Sequence, residues 1–130
     1  MAESSKTELK KPLIKKISEL RPLDSGFTLT VKVVDTKMVA PKGRQARTAE
    51  SLVGDETGII VFVARNDQVD AMKEGSTLIL RNAKVEMFRG SMRLTVDRWG
   101  RIEVTEPANF TVKEDSNLSL IEFEMVNVVE

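Results

Sequence analysis

The arginines are the side chains of this sequence best suited to bind a ligand. Seven of the nine lie in one basic loop or between residues 65 and 101, namely Arg44, Arg65, Arg81, Arg89, Arg93, Arg98 and Arg101. A guanidinium stacks on flat rings and forms forked pairs with phosphates, so this residue type favours a polyanion that carries planar groups. The alternative is that these are ordinary solvated charges, since 31% of the chain is charged. We favour binding because arginine, rather than lysine, predominates here.

The composition leaves little for catalysis. The 130 residues include no His and no Cys, which excludes a Ser-His-Asp triad, a Cys nucleophile, a thiolate zinc site and a disulfide framework. Asp55, Asp67 and Asp70 fit turns and helix caps better than a metal site, because no three carboxylates converge at ligand spacing. We therefore expect no enzyme activity, no cofactor and no metal.

The net charge of zero is a cancellation between two unlike regions. Residues 1–101 carry a net charge of +6, and residues 102–130 carry −6. Such asymmetry is typical of nucleic-acid binding or of an acidic tail. The longest apolar run, residues 58–64, is too short to span a membrane, and the N-terminus lacks the apolar core of a signal peptide. We expect an intracellular protein, nuclear or cytoplasmic, that is not bound to membranes.

The chain divides into three regions by composition. Residues 1–12 form a polar, basic arm that we expect to be disordered, residues 13–106 form the folded domain, and residues 107–130 form an acidic-hydrophobic extension. At the start of the domain, the roughly helical spacing of Leu13, Ile14, Ile17 and Leu20 predicts a short amphipathic helix.

Alternation of apolar and polar residues predicts the strands. A first strand begins at Phe27, and others follow at residues 47–53, at 58–65, at 77–88 with a bulge near Asn82, and after the turn at residues 89–91. A helix over residues 66–73, ended by Gly75, separates the third strand from the fourth. Three strands, a short helix and two strands, all antiparallel by loop length, predict an all-β fold, the five-stranded Greek-key OB-fold barrel.

Three local motifs then point to a family. They are a D-x-T-G hairpin (Asp55, Thr57, Gly58), the helix-terminating Gly75 and an F-[RK]-G turn (Phe88, Arg89, Gly90). With these motifs in order over about residues 14–105, the chain resembles the single-domain OB-fold single-stranded DNA-binding proteins found in SOSS complexes, together with archaeal and plant relatives related to replication protein A. The resemblance implies that a single strand lies across the second and third strands and between the loops that join strands one–two and four–five. Its bases would stack on rings and its phosphates would meet Lys and Arg.

The sequence departs from that family at the stacking positions. Arg65 stands where the relatives carry a Trp, and Lys84 and Thr95 occupy two further aromatic positions, so that Phe88 alone remains. Trp99, just past the fifth strand, is either an additional platform or part of the barrel packing. Because each aromatic stack contributes about 1–3 kcal/mol, we expect weaker and more salt-dependent binding than in ring-rich relatives.

The function that these observations predict is non-catalytic binding of single-stranded nucleic acid, DNA ahead of RNA, through a cationic barrel face with few rings. The candidate binding residues are Lys42, Arg44, Arg65, Arg81, Lys84, Phe88, Arg89, Arg93, Arg98 and Trp99. Two alternatives stay open. One is an OB-fold protein-interaction subunit of a DNA- or RNA-processing complex, and the other is a tRNA-binding accessory module.

Strand parity makes two further predictions. Phe27, Phe62 and Phe110 belong to the core, whereas Val61 and Val63 point outward, where they contact bases or are covered by the tail or a partner. The tail, residues 118–130, combines apolar and acidic residues. It is expected to add a strand to an open edge, to bind a protein partner or to compete with nucleic acid for the cationic face.

Overall fold

A computed structural model of the chain describes residues 12–39 and 47–124. The strands are β1 (Leu13–Ile14), β2 (Ser25–Val39), β3 (Thr48–Asp55), β4 (Gly58–Arg65), β5 (Thr77–Phe88), β6 (Ser91–Thr95) and β7 (Arg101–Thr105). The described residues also contain three short 3-10 helices, η1 (Ile17–Glu19), η2 (Asn66–Ala71) and η3 (Leu118–Leu120). The predictions for most of the N-terminal arm, and for Lys42 and Arg44, lie outside the described residues.

Five strands form a closed barrel. The sheet order β2-β3-β4-β6-β5 returns to its start because β5 also pairs with β2, which confirms the predicted OB-fold barrel. β1 extends the sheet beside β2, and β7 pairs with β5. The expectation that all strands are antiparallel is wrong at the closure, where β4 and β6 are parallel and share one register pair, Phe62 with Leu94. Because β5 and β6 form a hairpin after the crossover through η2, β6 runs in the same direction as β4.

The bulge predicted in the long fourth strand is confirmed. Phe27 lies opposite Ala83, whereas Leu29 lies opposite Leu80, so β5 has one residue more than β2 between these pairs. Asn82 takes up the difference with a φ of 54°, a left-handed conformation that asparagine tolerates better than most residues.

The first predicted helix is wrong, whereas the second lies where predicted, between the third and fourth predicted strands, although it is shorter and of the 3-10 type. Leu13 and Ile14 form an exposed strand, and only Ile17 and Leu20 are buried, in and just after η1. The second helix is a 3-10 helix that ends at Ala71. Such short segments gain little from helical propensity, so tertiary contacts decide their conformation. Among residues 12–39 and 47–124, no helix has the length and apolarity needed to cross a bilayer.

The core fills the barrel with aliphatic side chains around two rings. Phe27 and Phe62 are fully buried, as predicted. Phe110, which the sequence predicts in the core, is only half-buried. It lies outside the core cluster, with Lys32 Nζ 5.0 Å above its ring centre.

The described part of the tail packs on the barrel at its weakest seam. Asn117 bridges Ile59, and Leu118 is buried in the core cluster. The Ser119 hydroxyl accepts a hydrogen bond from Val61 N (2.9 Å) and donates one to Met92 O (2.6 Å). Because β4 and β6 share a single register pair, this hydroxyl supplies a link that the backbone ladder lacks.

Candidate nucleic-acid interface

The outward residues of β3, β4, β6 and the second half of β5 form one surface, which we call the outer face. It comprises Thr48, Glu50, Leu52, Val61, Val63, Arg65, Arg93, Thr95, Lys84, Glu86 and Phe88. Val61 and Val63 are half-buried and lie opposite Leu52 and Glu50, so the predicted outward orientation is confirmed. Thr95 is 1% exposed, because the Arg65 guanidinium covers it and donates a hydrogen bond to its hydroxyl at 3.2 Å.

The cations of the outer face are compensated by carboxylates. Arg93 pairs with Glu50 at 2.6 Å, and Arg65 lies 3.8 Å from Glu86. Lys84 Nζ lies 3.5 Å from carboxylate oxygens of both Glu86 and Asp97. The outer face is therefore a surface of mixed charge, in which a phosphate must compete with carboxylates that are already in place.

Two further predicted cations lie at the β5–β7 edge, away from the outer face. Arg81 and Arg101 share the carboxylate of Glu103, at 2.9 and 2.6 Å. Hydrogen bonds from Arg81 and then Arg101 hold the pKa of Glu103 below its ordinary value. The carboxylate thus stays ionised at neutral pH and neutralises part of this cationic edge.

Phe88 stands at the end of the β5–β6 hairpin with its side chain 51% exposed, which confirms the predicted exposure. The Arg89 guanidinium lies 5.3 Å from the ring centre and that of Arg93 lies 4.8 Å from it. Phe88, Val63 and Arg65 also line a cleft of about 210 Å³ on the outer face. A base entering that cleft would meet a ring, an aliphatic side chain and cations, together with the carboxylates of Glu50 and Glu86.

The hairpin turn holds Arg89 in an unusual conformation. Arg89 and Gly90 have φ values of 51° and 85°, as a two-residue type I′ turn requires. A left-handed conformation costs a non-glycine residue about 1–2 kcal/mol, and asparagine or glycine is the usual occupant. An arginine at this position therefore carries a local conformational cost.

Trp99 is displayed on the surface rather than packed into the barrel. Its side chain is 72% exposed, and the Arg98 guanidinium lies 4.9 Å from the ring centre. The Asp97 carboxylate accepts a hydrogen bond from the backbone N–H of Trp99 at 2.9 Å. The side-chain amide of Asn82 donates a hydrogen bond to the backbone carbonyl of Trp99 at 3.2 Å. Of the two interpretations that the sequence left open, barrel packing is excluded.

Arg89 and Arg98 differ from the other candidate cations that the structure describes. Within residues 12–39 and 47–124, neither forms an ion pair with a carboxylate, and both are exposed. Each lies instead over a ring, of Phe88 and Trp99 respectively. These two guanidinium groups can therefore meet a phosphate without first losing a carboxylate partner.

Sequence reasoning missed two residues that shape this surface. Glu50 neutralises Arg93, and the alternation of residues 47–53 could have placed it outward. Ser119 joins β4 to β6, but a serine in an acidic tail carries no signal of such a role.

Comparison with known proteins agrees with this geometry. The family model "Single-stranded DNA binding protein Ssb-like, OB fold" matches residues 20–104. An uncharacterized protein of Arabidopsis thaliana is 51% identical over 141 residues, with 98% of this chain and 92% of that protein covered. The single-stranded DNA binding protein Ssb of Saccharolobus solfataricus is 27% identical over 82 residues, covering 61% of this chain and 55% of that protein.

Solved structures share the fold. The solution structure of a hypothetical protein from Arabidopsis thaliana superposes with a TM-score of 0.79 at 48% identity, covering 100% of this chain and 99% of that one. The second OB-fold domain of replication protein A from Methanococcus maripaludis gives a TM-score of 0.56 at 25% identity, over 75% of this chain and 99% of that domain. These matches confirm the resemblance inferred from the hairpin and turn motifs: the chain belongs to the Ssb-like family of OB-fold single-stranded DNA-binding proteins.

Proposed function

We propose that this chain binds single-stranded nucleic acid, DNA ahead of RNA, across its outer face without catalysing a reaction on it. The observation that carries the proposal is the pair formed by Phe88 and Arg89 at the tip of the β5–β6 hairpin. The Phe88 side chain is 51% exposed, and the guanidinium beside it has no carboxylate partner among the described residues. A base can stack on this ring while the adjacent phosphate meets the arginine.

The compensated cations set the strength of this binding. Arg65 and Arg93 are partly exposed and ion-paired, and such pairs contribute only about 0–1 kcal/mol each. A phosphate can therefore replace Glu86 or Glu50 at small cost, although it gains less than it would from a free guanidinium. We expect a modest affinity that arises mainly from the hairpin tip.

Arg65 has a second role in the proposal. It stands at the end of β4, where the resemblance implies a stacking ring, and it lines the same cleft as Phe88. A guanidinium plane also stacks on bases, so Arg65 would hold the base next to the one on Phe88. Lys42 and Arg44, which lie outside the described residues, are proposed to meet further phosphates of the strand.

Replacing Phe88 with alanine is expected to weaken binding of a labelled dT or U oligonucleotide by about 5- to 150-fold, which corresponds to one lost stack of 1–3 kcal/mol. Fluorescence anisotropy at low salt measures this directly. Lys113→Ala is the matched control, because Lys113 pairs with Asp115 at 3.1 Å and its backbone contacts the opposite hairpin at Asp55. Its affinity should stay within about twofold of the wild type.

Arg89→Asn separates binding from folding at the same hairpin. Asparagine adopts the left-handed conformation more readily than arginine, so the melting temperature should hold or rise while the affinity falls. If Phe88→Ala and Arg89→Asn both bind as tightly as the wild type, the hairpin tip is not part of the interface.

Binding is expected to weaken steeply with salt. Contacts from Arg65, Arg89 and Arg93 to three phosphates predict a slope of about −2 in a plot of log K against log salt, or roughly 20-fold between 50 and 200 mM, and the contacts proposed for Lys42 and Arg44 would make the slope steeper. A salt titration of the wild-type chain by anisotropy gives this slope. An affinity that is flat over this range contradicts phosphate contacts at the outer face.

A protein-interaction subunit is the second candidate function. The outer face is compensated in charge, and the tail exposes Leu120, Ile121 and Phe123 by 78%, 49% and 38%. Exposed apolar residues grouped in this way are typical of protein contacts. The anisotropy experiment decides between the two, because failure to bind any oligonucleotide at low salt leaves the interaction role.

A further inference from the structure

A second, larger cleft begins where the outer face ends. It has a volume of about 650 Å³ and lies between η2 and the turn that joins β6 to β7. Its lining includes Arg65, Gln68, Val96, Asp97, Arg98 and Arg101. Arg65 also lines the cleft beside Phe88, so the two clefts meet at this one side chain.

The walls of this cleft are fixed by hydrogen bonds. The Gln68 side chain accepts a hydrogen bond from the backbone N–H of Arg65 at 3.0 Å and donates one to the backbone carbonyl of Val96 at 2.6 Å. These two bonds connect η2 to the residue that follows β6. On the other side, a Cβ on Gly100 would collide with the Arg81 carbonyl, so the turn lies tight against β5. The cleft is thus a built feature of the fold with Arg98 in its lining, and Trp99 lines an adjoining cleft that shares Gly100 and Arg101 with it.

The pair of Arg98 and Trp99 repeats the arrangement at the hairpin tip. Trp99 is 72% exposed with Arg98 over its ring, as Phe88 is 51% exposed with Arg89 over its ring. In both pairs, the guanidinium lacks a carboxylate partner among the described residues. Each pair thus offers a stacking surface with a cation that is ready for a phosphate.

The two pairs are separated along β5. Phe88 ends the strand, and Asn82, six residues earlier, donates its amide to Trp99 O. Six strand residues span about 20 Å. A single strand that keeps its duplex rise of about 3.4 Å per nucleotide covers this distance in about six nucleotides, and a stretched strand needs fewer.

We propose that Trp99 is a second nucleic-acid platform, so that a bound strand leaves the outer face beside Arg65, passes through the cleft and stacks a base on Trp99. This inference rests on the proposed function, because it extends the same binding path. Under this proposal, the rings of Phe88 and Trp99 bind the same nucleic-acid strand. The distance between them then sets the number of nucleotides that a strand needs to reach both. Strands of two nucleotides reach only one platform, whereas strands of ten reach both.

Intrinsic fluorescence tests the proposal without a label, because Trp99 is the only Trp and the chain has no Tyr. Titration with unlabelled dT10 is expected to quench the emission as a base stacks on the indole. In anisotropy, Trp99→Ala should bind labelled dT10 about 5- to 150-fold more weakly, and Trp99→Phe should recover most of the loss. Leu120→Ala is the matched control, since Leu120 is 78% exposed on the tail.

The outcomes separate this inference from the proposed function. Quenching by dT10 together with the loss of affinity in Trp99→Ala supports the second platform. Binding of dT10 with unchanged Trp emission, or with full affinity in Trp99→Ala, overturns it and leaves binding at Phe88 intact. Failure of dT10 to bind at all contradicts the proposed function, and the second platform with it.

Discussion

Replacing Asp55 with alanine is expected to lower the free energy of unfolding by about 3–5 kcal/mol. The Asp55 side chain is fully buried and accepts hydrogen bonds from Ile17 N (3.0 Å), Thr57 N (2.8 Å) and the Thr57 hydroxyl (2.6 Å). The loss comes mainly from Ile17, because a hydrogen bond to a charged group contributes about 1.5–3 kcal/mol and the Ile17 N–H would stay buried without a partner, whereas water can replace Asp55 at the half-buried Thr57. Urea denaturation followed by circular dichroism measures the loss.

The size of the effect follows from what Asp55 connects. It ties η1 to the β3–β4 hairpin, and this fixes Ile17 and Leu20, both fully buried, at the end of the barrel. Asp70→Ala is the matched control, because Asp70 is exposed and pairs with Arg47 at 3.1 Å. Surface pairs contribute about 0–1 kcal/mol. If Asp55→Ala is no less stable than Asp70→Ala, the carboxylate is not the anchor of this end.

The strands could be predicted because their signals are local. The third predicted strand matches β4 at both ends, since its apolar run lies between Gly58 and the left-handed Asn66. The start of the domain could not be predicted in the same way. Ile17 adopts a 3-10 turn because its N–H bonds to a carboxylate 38 residues away, and no short window of sequence contains that contact. The β7 strand likewise depends on its pairing with β5.

The interface was predictable to the extent that it depends on parity. The alternation of apolar and polar residues predicts that Val61, Val63 and Phe88 point outward, and all three do so in the structure. The compensation of charge could not be foreseen, because Glu50 and Arg93 are 43 residues apart and meet only where β4 brings β3 and β6 together on the outside of the barrel. The exposure of Trp99 depends on hydrogen bonds from its backbone to both Asp97 and Asn82. Because Trp99 lies in a loop, no alternation of inward and outward residues could have predicted this exposure.

Ending the chain after Ser116 is expected to destabilise the barrel by about 4–7 kcal/mol. Removing a buried leucine such as Leu118 costs about 2–5 kcal/mol, and the two hydrogen bonds of Ser119 add about 1 kcal/mol each. The fold would lose a large part of a total stability of about 5–15 kcal/mol. The melting temperature should therefore fall by roughly 15–25 °C. Circular dichroism measures this fall by comparing a chain of residues 1–116 with one of residues 1–124.

This result bears on how the acidic tail acts, because deleting it removes part of the barrel along with its charge. Ser119 joins Val61 to Met92, and Phe123 N donates to Gly90 O at 2.7 Å beside the hairpin that carries Phe88. The affinity after deletion would thus combine two opposite effects, a gain from the lost competitor and a loss from the disordered site. A double variant with Glu122→Gln and Glu124→Gln keeps these contacts and removes only charge. If the tail competes with nucleic acid, this variant should bind nucleic acid more tightly than the wild type. If residues 1–116 have the same melting temperature as residues 1–124, then β4 and β6 close the barrel without the tail.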